Sequence, residues 1–94
     1  MNEAKLQSEI IRWLRSKGCY VIKHNAGPGV PVGCADLSFY IEGCYGFIEV
    51  KANKRSSLRP LQEEFIKQMA EWSWAKVVSY ENWPEVKQEL EGML

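Results

Sequence analysis

The sequence predicts a small α/β domain with the element order αβββαβα. Three observations carry that prediction: apolar residues at helical spacing near the start and in the second half of the chain, an alternating hairpin at its centre, and glycine- and proline-rich breaks between them. Leu6, Ile10, Trp13 and Leu14 form a helical stripe that Gly18 ends, which predicts an amphipathic helix over roughly residues 3–17. Residues 19–24 read as a strand. Residues 25–33, Asn-Ala-Gly-Pro-Gly-Val-Pro-Val-Gly, are too punctuated for regular structure and lead the chain into Asp36. After a hairpin over residues 36–51 comes a polar loop, residues 53–57. Pro60 then suits the start of a second helix through about residue 72, with Leu61, Phe65, Met69 and Trp72 as its apolar stripe. Residues 75–80 read as a short strand and residues 83–90 as a last short helix with Pro84 at its start. No repeat, linker or low-complexity segment interrupts the chain, so residues 1–94 read as a single domain.

Composition narrows the function classes. Hydrophobic residues make up 46% and the 12 basic residues balance the 12 acidic ones, as in an ordinary soluble globular protein. Global charge therefore announces no nucleic-acid partner, but local charge is uneven. Lys51, Lys54, Arg55 and Arg59 fall in a stretch without an acid, while Glu81, Glu85, Glu89 and Glu91 crowd the C-terminal end. Cys19, Cys34 and Cys44 are odd in number and form no C-x-x-C pair, and His24 is the one histidine, which argues against a disulfide framework and a structural zinc site. Without a leader-like segment or a long apolar run, a cytoplasmic location is expected.

The hairpin holds the chemistry. With Glu42-Gly43 as a two-residue turn, Ile41 pairs with Cys44, and the same register sets Asp36 across from Glu49. Side chains alternate, so Lys51 shares their face. Leu37, Phe39, Ile41, Ile48 and Val50 take the other face, which predicts that the charged trio lies on the less buried side of the sheet. Directly opposed carboxylates bring their Cβ atoms to about 4.5–5.5 Å and repel unless something positive lies between them. Oxygen-only ligands suit Mg²⁺ or Mn²⁺, and a lysine two residues from the second carboxylate can steer a water beside the metal. The pattern reads as a metal-dependent hydrolase site, with a solvated charged hairpin as the plainer alternative.

On the first helix, Glu3 falls near the centre of the apolar stripe and Gln7 on its edge. Glu3 there either sits in solvent and favours the helix dipole or, with Gln7, faces the carboxylates. Gln62, one position from the stripe of the second helix, can reach the same place.

Taken together, these residues resemble the virus-type replication-repair nuclease (VRR-NUC) family of the PD-(D/E)xK nuclease superfamily. The resemblance covers most of the chain. It rests on Glu3 with Gln7 four residues on, His24-Asn25-Ala26-Gly27 after the first strand, Gly33-x-x-Asp36-Leu37, Ile48-Glu49-Val50-Lys51, and Leu58-Arg-Pro-Leu-Gln62-x-x-Phe65. Ala35 stands where the family usually has proline, a position that shapes the turn and supplies no ligand.

The resemblance implies a four-stranded mixed sheet flanked by helices, dependence on Mg²⁺ or Mn²⁺, and phosphodiester cleavage of DNA. It implies Asp36, Glu49 and the Val50 carbonyl as metal ligands, with Glu3 as a further or water-mediated one. Lys51 then acts on the nucleophile or the developing charge, Gln62 and Gln7 orient waters or phosphate, and Lys54, Arg55, Arg59, His24 and Asn25 contact the DNA backbone. With no appended DNA-reading module, structure-selective cutting is expected. Stand-alone members resemble Holliday-junction resolvases, which implies a homodimer on four-way junctions. Flap-, nick- or end-directed cutting, an RNA substrate and an inactive DNA-binding module remain as alternatives. Tyr40, Tyr45, Phe47, Trp72, Trp74 and Trp83 are more aromatic surface than so small a core readily hides, which supplies a motive for pairing.

Overall fold

A computed structural model describes residues 2–94. Helix α1 (Glu3–Ser16) starts at Asn2, whose side chain accepts from the Lys5 N–H at 2.8 Å. It ends in paired reverse bonds, Gly18 N to Arg15 O and Cys19 N to Leu14 O, which close the helix at Gly18 and commit Cys19 to the cap. Strand β1 (Tyr20–Lys23) therefore begins one residue later than the sequence predicts.

Strands β2 (Leu37–Ile41) and β3 (Cys44–Val50) form the expected hairpin, with Ile41 opposite Cys44 and Leu37 opposite Ile48. In the turn only Gly43 has positive φ, at 78°, the requirement of the second central position of a type II turn. Helix α2 (Pro60–Trp72) crosses over to β4 (Trp74–Val78), which pairs in parallel with β3, and α3 (Trp83–Met93) closes the chain. The sheet order is β1-β2-β3-β4, antiparallel except for the last pair. This is an α/β fold with three helices and a four-stranded mixed sheet.

The two faces of the sheet differ. Leu37, Phe39, Ile48, Val50 and Val78 pack against Leu6, Ile10 and Leu14 of α1 and Trp83, Val86 and Leu90 of α3, and this is the core. Alternation sends Ser38, Tyr40, Tyr45, Phe47 and Glu49 to the opposite face. There α2 lies along β3 and β4, with Phe65 edge-on to Phe47 at 5.4 Å between ring centroids.

Two expectations change here. The α2 stripe is only partly used: Phe65 and Met69 are half-buried, while Leu61 and Trp72 are 49% and 64% exposed. The N-terminal turn of α2 lies over a polar row rather than an apolar one, and Trp72 is its last residue. The charged trio is also not on an open side. Glu49 is 2% exposed, because the crossover helix covers the face that alternation alone assigns to solvent. Trp83 is buried and Trp74 packs on the core edge, so Tyr40, Tyr45 and Trp72 are what stays exposed of the aromatic surplus, and Tyr20, outside that set, joins them.

Candidate metal and phosphate site

The register places one polar row across three strands. The His24 N–H donates to the Asp36 carbonyl at 2.8 Å, which extends the β1–β2 ladder by one pair. Asp36 lies just before β2, and the β2–β3 register continued by one pair sets it beside Glu49. His24, Asp36 and Glu49 thus stand side by side on the α2 face, on backbones about 4.8 Å apart from strand to strand.

Each side chain has a defined environment. Asp36 Oδ2 accepts from the Val50 N–H at 2.8 Å. A strand residue's N–H and C=O point to the same side, so the Val50 carbonyl also turns toward Asp36. Glu49 Oε2 accepts from Gln62 Nε2 at 3.2 Å and lies 3.6 Å from Lys51 Nζ. Lys51 also donates to Gln62 Oε1 at 3.4 Å, and the same oxygen accepts from the Arg59 N–H at 3.0 Å, which ties Gln62 to the first turn of α2. Among the described residues Glu49 Oε1 is buried without a hydrogen-bond partner. Burial first, and the nearby Asp36 charge second, push the Glu49 carboxyl up to about 7, against the opposing pull of Lys51.

Beside this row opens a cavity of about 730 Å³, lined among others by His24, Cys34, Asp36, Arg59 and Gln62. Gly33 forms part of its wall. A Cβ there would come within 2.6 Å of the Leu61 backbone, and the φ of +89° suits glycine alone, so this residue lets the loop press against the start of α2. Cys34 is a wall residue that the sequence reading missed. Its thiol is pushed up by burial first, then by Glu49 and Asp36. Its place two residues before Asp36 was the available signal.

The other predicted residues divide. Gln62, Arg59 and His24 meet at the cavity, whereas Asn25 is exposed outside its wall. Lys54 and Arg55 are exposed on a loop fastened by Lys54 N to the Glu81 carboxylate at 3.2 Å and Arg55 N to Asn53 Oδ1 at 2.9 Å. Helix α1 packs Leu6, Ile10 and Leu14 on the face of the sheet opposite α2. Its N-terminus is held at the carboxylate end by Tyr80 Oη donating to Asn2 O at 3.1 Å, with Glu3 exposed and Gln7 half-buried. Among the described residues no group of three or more His, Cys, Asp or Glu is arranged around a metal position. The donors available to a cation are the Asp36 and Glu49 carboxylates and the Val50 carbonyl.

No protein-family model, characterised protein or solved structure matches the chain. No helix among the described residues is long and apolar enough to cross a membrane.

Proposed function

We propose that the chain is a metal-dependent endodeoxyribonuclease with a PD-(D/E)xK-type core, acting on branched DNA as a homodimer. One observation carries this reading. Glu49 is a buried carboxylate beside a second carboxylate, with one oxygen engaged by Gln62 and Lys51 and the other without a partner among the described residues. A buried unpaired oxygen on a charged group is costly, and a cation between Asp36 and Glu49 removes that cost. The donor set fits. Mg²⁺ is bound through one or two carboxylates and keeps several waters, and three oxygens from Asp36, Glu49 and Val50 meet that demand without a third acidic side chain.

A divalent cation at this position supplies Lewis-acid charge for a phosphoryl oxygen and a water of lowered pKa. The protein's own residues do the rest. Asp36, fixed by the Val50 N–H, and Glu49, fixed by Gln62, present their oxygens in one row. Lys51, 14% exposed, places a positive charge beside that row, where it orients the attacking water and counters charge on the phosphorane. Arg59 at the cavity wall takes a phosphate oxygen, and exposed Lys54 and Arg55 extend the grip along the strand. Pairing of two copies is supported by the half of the α2 face that α2 leaves bare, where Tyr20, Ile22, Tyr40 and Tyr45 are 72%, 39%, 38% and 42% exposed.

The test is cleavage of a labelled four-way junction beside matched duplex, flap and single-stranded DNA, with Mg²⁺, Mn²⁺ or EDTA, for wild type and Asp36→Ala. The expected result is paired symmetric cuts in the junction, dependent on metal and lost in the variant. Cutting of flaps or ends instead retains the catalytic residues and discards the junction. No cleavage of any substrate leaves a DNA-binding module as the better reading.

A further inference from the structure

Ser38 is the anomalous residue on β2. It is fully buried, in the run Leu-Ser-Phe-Tyr-Ile, and its neighbours across the two ladders are Ile22 and Phe47. A hydroxyl in such surroundings requires a partner. Ser38 Oγ lies 2.7 Å from His24 Nε2, its one side-chain partner among the described residues. His24 is the first member of the polar row and lines the cavity, one strand from Asp36 and two from Glu49. Lys51 and Gln62 border the carboxylates from the β3 and α2 side, whereas His24 borders them from β1. The two sets of groups therefore flank the carboxylate row from opposite sides.

We infer that Ser38 is a positioning residue that fixes the tautomer of His24, making Nδ1–H a hydrogen-bond donor to the phosphate diester on the side of the cavity away from Lys51. A neutral imidazole has one donor and one acceptor nitrogen, and the bond made by one sets the role of the other. Ser38 is fully buried and Nε2 is its side-chain partner among the described residues, so its O–H is satisfied by donating to Nε2, which makes Nε2 the acceptor and leaves the ring proton on Nδ1. Ser38 touches no substrate and acts only through His24. The tautomer assignment is independent of the nuclease reading, whereas the role toward phosphate rests on it.

The first arm of the test reads the ring directly. The chain has one histidine, so a long-range ¹H–¹⁵N spectrum of the neutral imidazole is unambiguous. The expected spectrum has a protonated Nδ1 and an unprotonated Nε2 in the wild type, shifting toward the Nε2–H form in Ser38→Ala. A wild-type ring protonated at Nε2, or a variant ring unchanged from wild type, overturns the inference whatever the protein cuts.

The second arm reads cleavage. His24→Asn puts an amide N–H near the position of Nδ1 and has no tautomer to fix. Ser38→Ala is expected to lower kcat about tenfold in the wild-type background, the effect of one hydrogen bond, with KM little changed. In the His24→Asn background the same substitution is expected to cost less than about twofold. Equal losses in both backgrounds show that Ser38 acts through packing and overturn the positioning role. If the wild type cuts no DNA, the proposed function falls while the spectrum still decides the tautomer.

Discussion

Asp36 Oδ2 accepts the Val50 N–H at 2.8 Å, so one carboxylate is both a candidate ligand and the cap on the β3 backbone where the ladder with β2 has ended. Removing it has opposing effects. Asp36→Ala deprives the Val50 N–H of its acceptor, a loss of about 1–3 kcal/mol if water does not replace it. It also removes the like charge that helps raise Glu49. Asp36→Ala is expected to abolish cleavage while changing unfolding free energy by no more than about 1 kcal/mol in urea at pH 7.5. A folded variant that still cuts removes Asp36 from the mechanism, and a collapse in stability makes its role structural.

Glu49 gives the metal-free protein a pH dependence whose sign is fixed. Its carboxyl is raised from 4.5 in the unfolded reference to about 7 in the fold, so the native state binds a proton more tightly than the unfolded state. The cost of ionising it is absent below pH 4.5, grows as pH rises from there to 7, and is full above 7. The size is up to about 3 kcal/mol. In EDTA, wild type is expected to lose stability across that window and Glu49→Gln to lose markedly less. Parallel curves for the two proteins, measured by urea unfolding at several pH values, refute the assignment.

Cation binding inverts that dependence. A proton on Glu49 must leave before a cation takes its place, so affinity is expected to rise by up to about tenfold per pH unit below 7 and to level off above it. Titration calorimetry with Mn²⁺ at pH 6, 7 and 8 measures the slope. A flat affinity, or an unchanged slope in Glu49→Gln, means that the cation does not engage this carboxylate.

The register of the hairpin was legible in the sequence because two local signals agree there. Alternating apolar residues fix the faces of β2 and β3, and the Glu42-Gly43 turn fixes their offset. From that offset the pairing of Asp36 with Glu49 followed. The burial of Glu49 was not legible, because it depends on which face a crossover helix covers, and the stripe on α2 does not state where α2 lies. The same non-local choice left Leu61 and Trp72 exposed and put α1 on the other face. Gln62 is marked in the sequence by its place beside the α2 stripe, whereas Ser38 and Cys34 carry no such mark, because each is an ordinary small residue until its neighbours are known.

Gly33 links the breaker loop to the site. Its φ is +89°, and a Cβ would meet Leu61 C, O and Cβ at 2.6, 2.7 and 2.8 Å. Two of those atoms are backbone and cannot rotate aside, so Gly33→Ala must move the loop away from the first turn of α2 or shift the helix. That turn carries Gln62, bound to Arg59 N and to Glu49 Oε2, so displacement there loosens the Glu49 carboxylate. Gly33→Ala is therefore expected to cost about 1–3 kcal/mol in unfolding free energy and to reduce metal-dependent cleavage more than substrate binding. Gly27→Ala, a glycine of the same loop with no atom within 4 Å of the added Cβ, separates contact from backbone strain. Its φ of +154° carries a conformational cost but no clash, so its expected effect on cleavage is smaller. Equal losses of cleavage in the two variants mean that the loop's conformation, and not its contact with α2, supports the site.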